Sequence, residues 1–355
     1  VIMSAHKNDR LLRVLNHLPV DRVPVWLMRQ AGRTDPKYNQ LRKNDGRPLE
    51  ELFADTEISI KISLLPKRLG VDAIIMFQDI LTPLTPMGAG FHFDPGPVLE
   101  KPVRTFSQVK ALRAVDPEIH LQTVAQILKG LNAELKGELP VLGFAGSPMS
   151  LAFFLIAGSS PNRKLEEVLA FIKEQPEITQ ALLELLTTMT VDYLNYQIAS
   201  GADAVQLFES FADVIPSELY KKFVQPTHEK IFSSLSPNAH SILFTKESPH
   251  LDLILQSGAS VLSVGSCIDL GQAKKMAPEM IFQGNVDNKI LADGTKEEIT
   301  QAVRKCFEQS GRKNHILNLN HGLLERTPFE NVQHFVNVAK EFGRVEGNSL
   351  VRTIQ

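Results

Sequence analysis

Apolar positions along this chain fall into two alternating kinds of segment. Short runs dense in apolar and β-branched residues read as strands buried on both faces: Val23–Met28, Ala73–Phe77, Pro140–Phe144, Ala204–Phe208, Ile242–Phe244, Val261–Val264, Met280–Gln283 and Ile316–Leu319. Between them lie longer stretches, among them Glu57–Leu69, Ile178–Ser200, Glu218–Leu235, Lys296–Gln309 and Phe329–Phe342. Their apolar residues recur at spacings of three and four, as in amphipathic helices. Eight strand runs alternating with helices predict a closed parallel (β/α)8 barrel of the TIM type. The rival arrangement, a doubly wound open sheet, usually carries a glycine-rich phosphate loop after an early strand, and no GxGxxG or GxxxxGK[ST] run is present. The Pro- and Gly-rich stretch Gly90–Thr105 reads as a hairpin inserted after the second strand. With no repeat beyond the β/α unit and no linker, residues 1–355 are expected to form one barrel domain with its core at about residues 10–343.

At 355 residues and 43% hydrophobic, the chain can bury a large core without disulfides. Its two cysteines, Cys267 and Cys306, are too few for a disulfide framework or a cysteine-rich metal site, and both are expected to be buried as small apolar groups. A net charge of −2 argues against general nucleic-acid binding. It leaves room for an anionic small molecule, because a few converging arginines can bind carboxylates while the total stays near zero. The segment Val1–Arg13 is charged and has no signal-like apolar run, and the densest apolar stretch, Leu151–Ala157, is far short of a bilayer span. A cytoplasmic protein that neither spans nor binds membranes is the expectation.

In such a barrel, chemistry sits at the C-terminal ends of the strands. The polar residues there are Arg29, Gln30 and Arg33; Gln78 and Asp79; Glu209 and Ser210; Thr245, Lys246 and Glu247; Asn285 and Asp287; and Asn318, Asn320 and His321. The run Pro24–Arg33 is the most informative. An apolar strand leads into Arg29, then Ala31 and Gly32 let the backbone approach a ligand, and Arg33 follows. Two guanidiniums there suit a carboxylate-rich ligand, because each planar fork donates two parallel hydrogen bonds. The plainer alternative is a pair of surface arginines beside the next helix. Asp79 likewise reads either as a site carboxylate or as a helix N-cap. His321 is the group whose ordinary pKa best suits proton transfer.

Several of these runs together resemble the uroporphyrinogen decarboxylase family. Besides Pro24–Arg33 they are Ile74–Leu81, Gly143–Pro148, Gln206–Ser210, Gln283–Asn285 and Asn318–Gly322, in the family's order from about residue 10 to residue 340. The resemblance implies a cofactor-free decarboxylase that converts the four acetate side chains of uroporphyrinogen to methyls. Losing carbon dioxide from an acetate leaves electrons that need a sink, and protonating the adjacent pyrrole makes the substrate its own sink. A protein doing this needs an anion beside the developing cation, a proton source and cations for the remaining carboxylates. On this resemblance Asp79 is expected to be the anion. Arg29 and Arg33 are expected to anchor carboxylates, with Arg29 also counted among the catalytic groups. His321 is expected to bind a carboxylate and secondarily to move a proton. Gln30, Ser210 and Phe144 are expected to contact the substrate, with neither cofactor nor metal, in a cytoplasmic homodimer.

The chain departs from the family pattern in places. Phe154 stands where a Tyr hydroxyl is usual, Thr34-Asp35-Pro36 replaces Tyr-Leu-Pro, and Ser263–Ser266 replaces Gly-Leu-Asp-Trp. Asn320 and Glu325-Arg326 also differ from the usual Gly and Pro-Glu. These substitutions motivate an alternative, a porphyrinogen-binding homologue that does not catalyse. A barrel methyltransferase is a second alternative, but the end of the fifth strand run reads Phe244-Thr-Lys-Glu-Ser248, without the His and Cys ligands its zinc requires.

Overall fold

The computed structural model describes residues 6–346; the outermost parts of the domain expectation, 1–5 and 347–355, lie outside them. Nine strands occur among the described residues: β1 (Ile74–Ile75), β2 (Phe91–Asp94), β3 (Gly96–Leu99), β4 (Val141–Gly146), β5 (Ala204–Glu209), β6 (His240–Thr245), β7 (Val261–Ser263), β8 (Ile281–Gln283) and β9 (His315–Ile316). Seven of them form one sheet in the order β1-β4-β5-β6-β7-β8-β9, every pairing parallel. The remaining two, β2 and β3, pair antiparallel within Gly90–Thr105, as the turn residues there predict. Helices follow the sheet strands on the outside, so every residue of β4 is buried on both faces.

The expected eight strands become seven plus a stave held differently. Val23–Met28 runs between β9 and β1, and its one backbone bridge is Val25 to Leu317. Pro24 has no N–H to offer a ladder. Side chains take over instead: the Asp72 carboxylate accepts from Val25 N–H at 2.8 Å, and Asn318 Oδ1 accepts from Met28 N–H at 3.3 Å. Leu317 N–H still reaches Pro24 O at 2.9 Å, and Asp72 N–H reaches Val25 O at 2.8 Å, so the ring closes. Inside it a polar chain links opposite staves. Trp26 Nε1 donates to Gln283 Oε1 at 3.0 Å, and Gln283 Nε2 donates to Gln206 Oε1 and Ser263 Oγ, each at 2.9 Å.

The helix expectations hold closely, and the differences have local causes. Lys296–Ser310 begins at a capping box of Thr295 and Glu298 and stops at Gly311, whose φ of 63° suits a residue without Cβ. Phe329–Phe342 has the bounds its periodicity predicts. Within Glu57–Leu69 the α-helix ends at Leu64, and the Pro-containing remainder tightens to a 3-10 turn. Glu218–Leu235 is interrupted by a π-helical turn at Tyr220–Val224, a local widening that often marks functional regions. Cys306 is buried as expected, whereas Cys267 is exposed on a turn where its N–H serves Glu247 Oε2 at 3.1 Å.

Candidate active site

A cleft of about 540 Å³ opens at the C-terminal ends of the strands. Its floor is aromatic. Phe144 and Phe208 meet edge to face at 5.5 Å, and behind them the fully buried Phe244 lies 5.3 Å from Phe208 and meets the His321 imidazole at 5.4 Å and 87°. Phe154 and Phe211 form one wall, with ring centres 5.7 Å apart. Phe93 and Pro97 of the β2–β3 hairpin also line it. Such a surface suits a flat or saucer-shaped apolar body. The ionic groups around it are Arg29, Asp79 and Lys246, with Ser210 and His321 between them.

Asp79 follows β1 by a short loop. Its Oδ1 accepts the Leu81 N–H at 2.7 Å, which closes a turn in its own loop rather than capping a helix, since Leu81 holds the N-cap position of the short 3-10 turn Thr82–Leu84; among the described residues no donor occupies Oδ2. Enclosure by the cleft walls pushes its carboxyl up to about 6, against the opposing pull of the Leu81 N–H and of Arg29. No ion pair joins Asp79 to Arg29 among the described residues, which leaves space between them.

Arg29 adopts a left-handed φ of 60°, which turns its side chain into the cleft from the end of the first stave. It is open to the cleft yet walled in, and burial lowers its pKa from the ordinary value, with Asp79 opposing and Arg33 assisting. Gly322 makes that placement feasible, because a Cβ there would stand 2.5 Å from Arg29 Cδ. Any side chain there would force the arginine out of this placement, a requirement that the Asn-His-Gly run gives no means of seeing.

His321 accepts the Gly322 N–H on Nδ1 at 2.6 Å, which leaves Nε2 as its N–H donor. Burial, then Arg29 and Lys246, hold its pKa down to about 3, with Glu247 opposing. The imidazole is therefore neutral in the open cleft and acts there as a hydrogen-bond donor rather than a cation. The Ser210 backbone N–H donates to Ser150 Oγ at 2.8 Å, and Ser210 lines the cleft.

Two expected contacts stand differently. Gln30 borders the cleft, but its Oε1 accepts from Leu27 N–H at 3.1 Å and its Nε2 donates to Ala73 O at 3.0 Å. It braces the first stave against the second. Arg33 lies outside the cleft lining at the rim, paired with Glu325 at 2.7 Å with both side chains more than half exposed. Other strand-end polar groups also prove to be braces. Gln78 Nε2 donates to Phe53 O at 2.8 Å, Asn285 Nδ2 donates to Gly265 O at 2.9 Å, and Asp287 caps a helix through Lys289 N–H.

Beneath the site lies a buried network that sequence reasoning left open. The Glu209 carboxylate, fully enclosed, accepts from Ser147 Oγ at 2.5 Å and Ser150 Oγ at 3.0 Å and meets His228 Nε2 at 2.9 Å. Tyr220 touches the other imidazole nitrogen at 3.4 Å, carried there by the π-helical turn. Residues 62 positions apart meet here only because β4 and β5 are neighbours.

The fold and site together define an α/β-barrel protein with a polar-rimmed, aromatic-floored cleft at the strands' C-terminal ends. By sequence the chain belongs to the uroporphyrinogen decarboxylase family, whose model matches residues 6–342. A uroporphyrinogen decarboxylase of Geobacter metallireducens is 39% identical over 334 residues, covering 93% of this chain and 97% of that protein. The corresponding protein of Trichlorobacter lovleyi is 38% identical over 335 residues, covering 93% and 97%. Among solved structures, a methyltransferase from Methanosarcina mazei superposes with a TM-score of 0.75 at 20% identity, covering 94% of this chain and 98% of its own, a likeness of fold. Among the described residues no helix is long and apolar enough to cross a membrane, and no three His, Cys, Asp or Glu side chains converge to hold a metal ion.

Proposed function

We propose that this protein, acting as one barrel domain, decarboxylates the four acetate side chains of uroporphyrinogen III to give coproporphyrinogen III and carbon dioxide. Asp79 carries the reading: a carboxylate with one free oxygen, enclosed at the mouth of an aromatic cleft, with cations held apart from it. Pyrrole N–H groups donate to that oxygen. When a ring carbon is protonated, the carboxylate faces the cation that draws in the electrons of the breaking carbon–carboxylate bond. Loss of carbon dioxide leaves an exocyclic methylene; a second proton on that carbon completes the methyl group, and the ring carbon gives up the proton it first took, so that one proton is consumed for each carbon dioxide released. Arg29 binds a carboxylate by its fork, neutral His321 and Ser210 donate further hydrogen bonds, and the floor rings, Phe144 among them, pack on the macrocycle. Arg33 steers the polyanion from the rim while it stays paired with Glu325.

A zinc-dependent methyl transfer would need imidazole and thiolate ligands, and the end of β6 presents Thr245, Lys246 and Glu247. A cytoplasmic homodimer completes the reading on family resemblance, and light scattering at twice the chain mass checks the assembly. The deciding experiment is anaerobic incubation of metal-stripped protein with uroporphyrinogen III, with products oxidised and separated. Successive seven-, six-, five- and four-carboxyl porphyrins are expected. Unchanged eight-carboxyl material from folded protein would favour a binding homologue, for which Phe154 in place of a donor Tyr is the motivating feature.

A further inference from the structure

Counted around the ring from Val23–Met28, the staves run β1, β4, β5, β6, so β6 is the fifth and faces the first across the barrel axis. Arg29 leaves the first stave, and Lys246 directly follows Thr245, the last residue of β6. Both line the cleft. The root of Lys246 is fixed, because its backbone N–H donates to the carbonyl of fully buried Glu209 at 3.2 Å. Its head is not: Nζ stands 3.6 Å from Asp213 Oδ2, beyond hydrogen-bond range, with 34% of the side chain exposed. The adjacent acid does not neutralise it. Glu247 Oε1 accepts from Ser266 N–H at 2.8 Å, Ser266 Oγ at 2.9 Å and Asn320 Nδ2 at 2.7 Å, while Oε2 serves Cys267. Lys246 is thus a cation paired only loosely, with Asp213 at 3.6 Å, on the wall opposite Arg29, and near enough to His321 for its charge to be felt there.

We infer that Lys246 binds a substrate carboxylate across the cleft from Arg29, so that a polycarboxylate macrocycle is held at two ends of one diameter. The inference rests on the decarboxylase reading for the identity of the ligand. A flexible ammonium accepts a carboxylate over a wider range of positions than a planar fork. That suits a substrate that must present four acetates in turn while keeping a grip on the rest.

The test pairs kinetics with binding. Lys246→Met is expected to raise KM for uroporphyrinogen III by about tenfold to a hundredfold, the scale of one charge-assisted hydrogen bond, with kcat changed less than about threefold. Lys246→Arg is expected to recover most of the loss. Independently of turnover, anaerobic calorimetry with uroporphyrinogen III in an Asp79→Asn background is expected to show a matching rise in Kd when Lys246→Met is added. An unchanged Kd would overturn the inference, as would an Asp213→Asn variant that reproduces the Lys246→Met defect, since Lys246 would then matter only as that residue's partner. Wild-type protein that binds without decarboxylating would sink the decarboxylase reading alone, with the Kd ratio still deciding the role of Lys246. No binding at all would sink both.

Discussion

Two aspartates, Asp72 and Asp79, stand on either side of the short strand β1 and live in opposite circumstances. At the N-terminal side Asp72 is wholly buried and wholly engaged. Arg22 donates to both its oxygens at 2.7 and 2.8 Å, and Asn8 Nδ2 and Val25 N–H each add a bond at 2.8 Å. At the C-terminal side Asp79 has one bond to its own loop and an oxygen with no protein donor among the described residues, and its carboxyl is pushed up to about 6. The same side chain therefore fastens the barrel at one end and stays under-solvated at the other. A carboxylate whose needs the protein meets contributes to stability, and one left short is ready for a ligand that brings its own donors.

Removing the satisfied member should give the largest effect. Asp72→Ala strands the Arg22 charge and the Val25 N–H in a buried site, and a loss of about 3–5 kcal/mol of stability is expected. Urea unfolding would measure it, and the fraction that folds should keep ordinary turnover. A variant of near-normal stability would show that the first stave is held by something else.

The unsatisfied member should behave in the reverse way. Asp79→Asn keeps the Leu81 hydrogen bond but cannot meet a cation, so kcat should fall by about 10²–10³-fold. The same change should stabilise the fold at neutral pH by about 1–3 kcal/mol, because it removes an ionised group held in a dry site. If Asp79→Asn retained half its activity, the mechanism would be wrong.

Titration sharpens the contrast further. Since the folded value for Asp79, about 6, lies above the ordinary 3.8, the ionised carboxylate disfavours folding above pH 6, and that penalty is gone below about pH 4. The stability gained by Asp79→Asn should therefore be full at pH 7 and vanish near pH 4. Activity needs the ionised form, so kcat/KM should decline as pH falls through 6. His321, held near 3, is neutral throughout that range, and His321→Gln should lower the rate while leaving the position of this limb unchanged.

The smallest expected difference is between the two arginines. Arg29→Ala removes a cation held inside the cleft and should raise KM about tenfold, whereas Arg33→Ala, exposed and already paired with Glu325, should raise it less than about threefold and mainly at low salt. Equal effects would mean that the rim ion pair opens fully on substrate binding.

Much of this was legible before any coordinates. The strand runs survive with shifts of a residue or two at most ends, because a parallel strand buried on both faces must be apolar throughout. Strand-end placement then nominated Arg29, Asp79, Ser210, Lys246 and His321, which all border the cleft. It could not separate them from Asn285 and Asp287, which occupy equivalent positions and brace loops instead, nor from Gln78, which lines the cleft but spends its amide on Phe53 O. Gln30 shows the same limit: it borders the cleft while its amide is spent on backbone, and spacing is blind to whether a polar residue after a strand faces ligand or backbone.

What the chain's sequence determined alone was the alternation of buried strands and amphipathic helices, the inserted hairpin and the family, since these depend on local periodicity and on residue runs that need no partner to be read. Tertiary structure alone decided the pairings between distant residues: Asp72 replacing a strand ladder at Val25, Gly322 clearing space for Arg29, Glu209 joined to Ser147 and His228, and Lys246 set opposite Arg29. The reason is geometric. Closing the sheet into a ring brings together side chains that local sequence order holds far apart, and their hydrogen bonding and charge depend on neighbours that only the closed ring supplies.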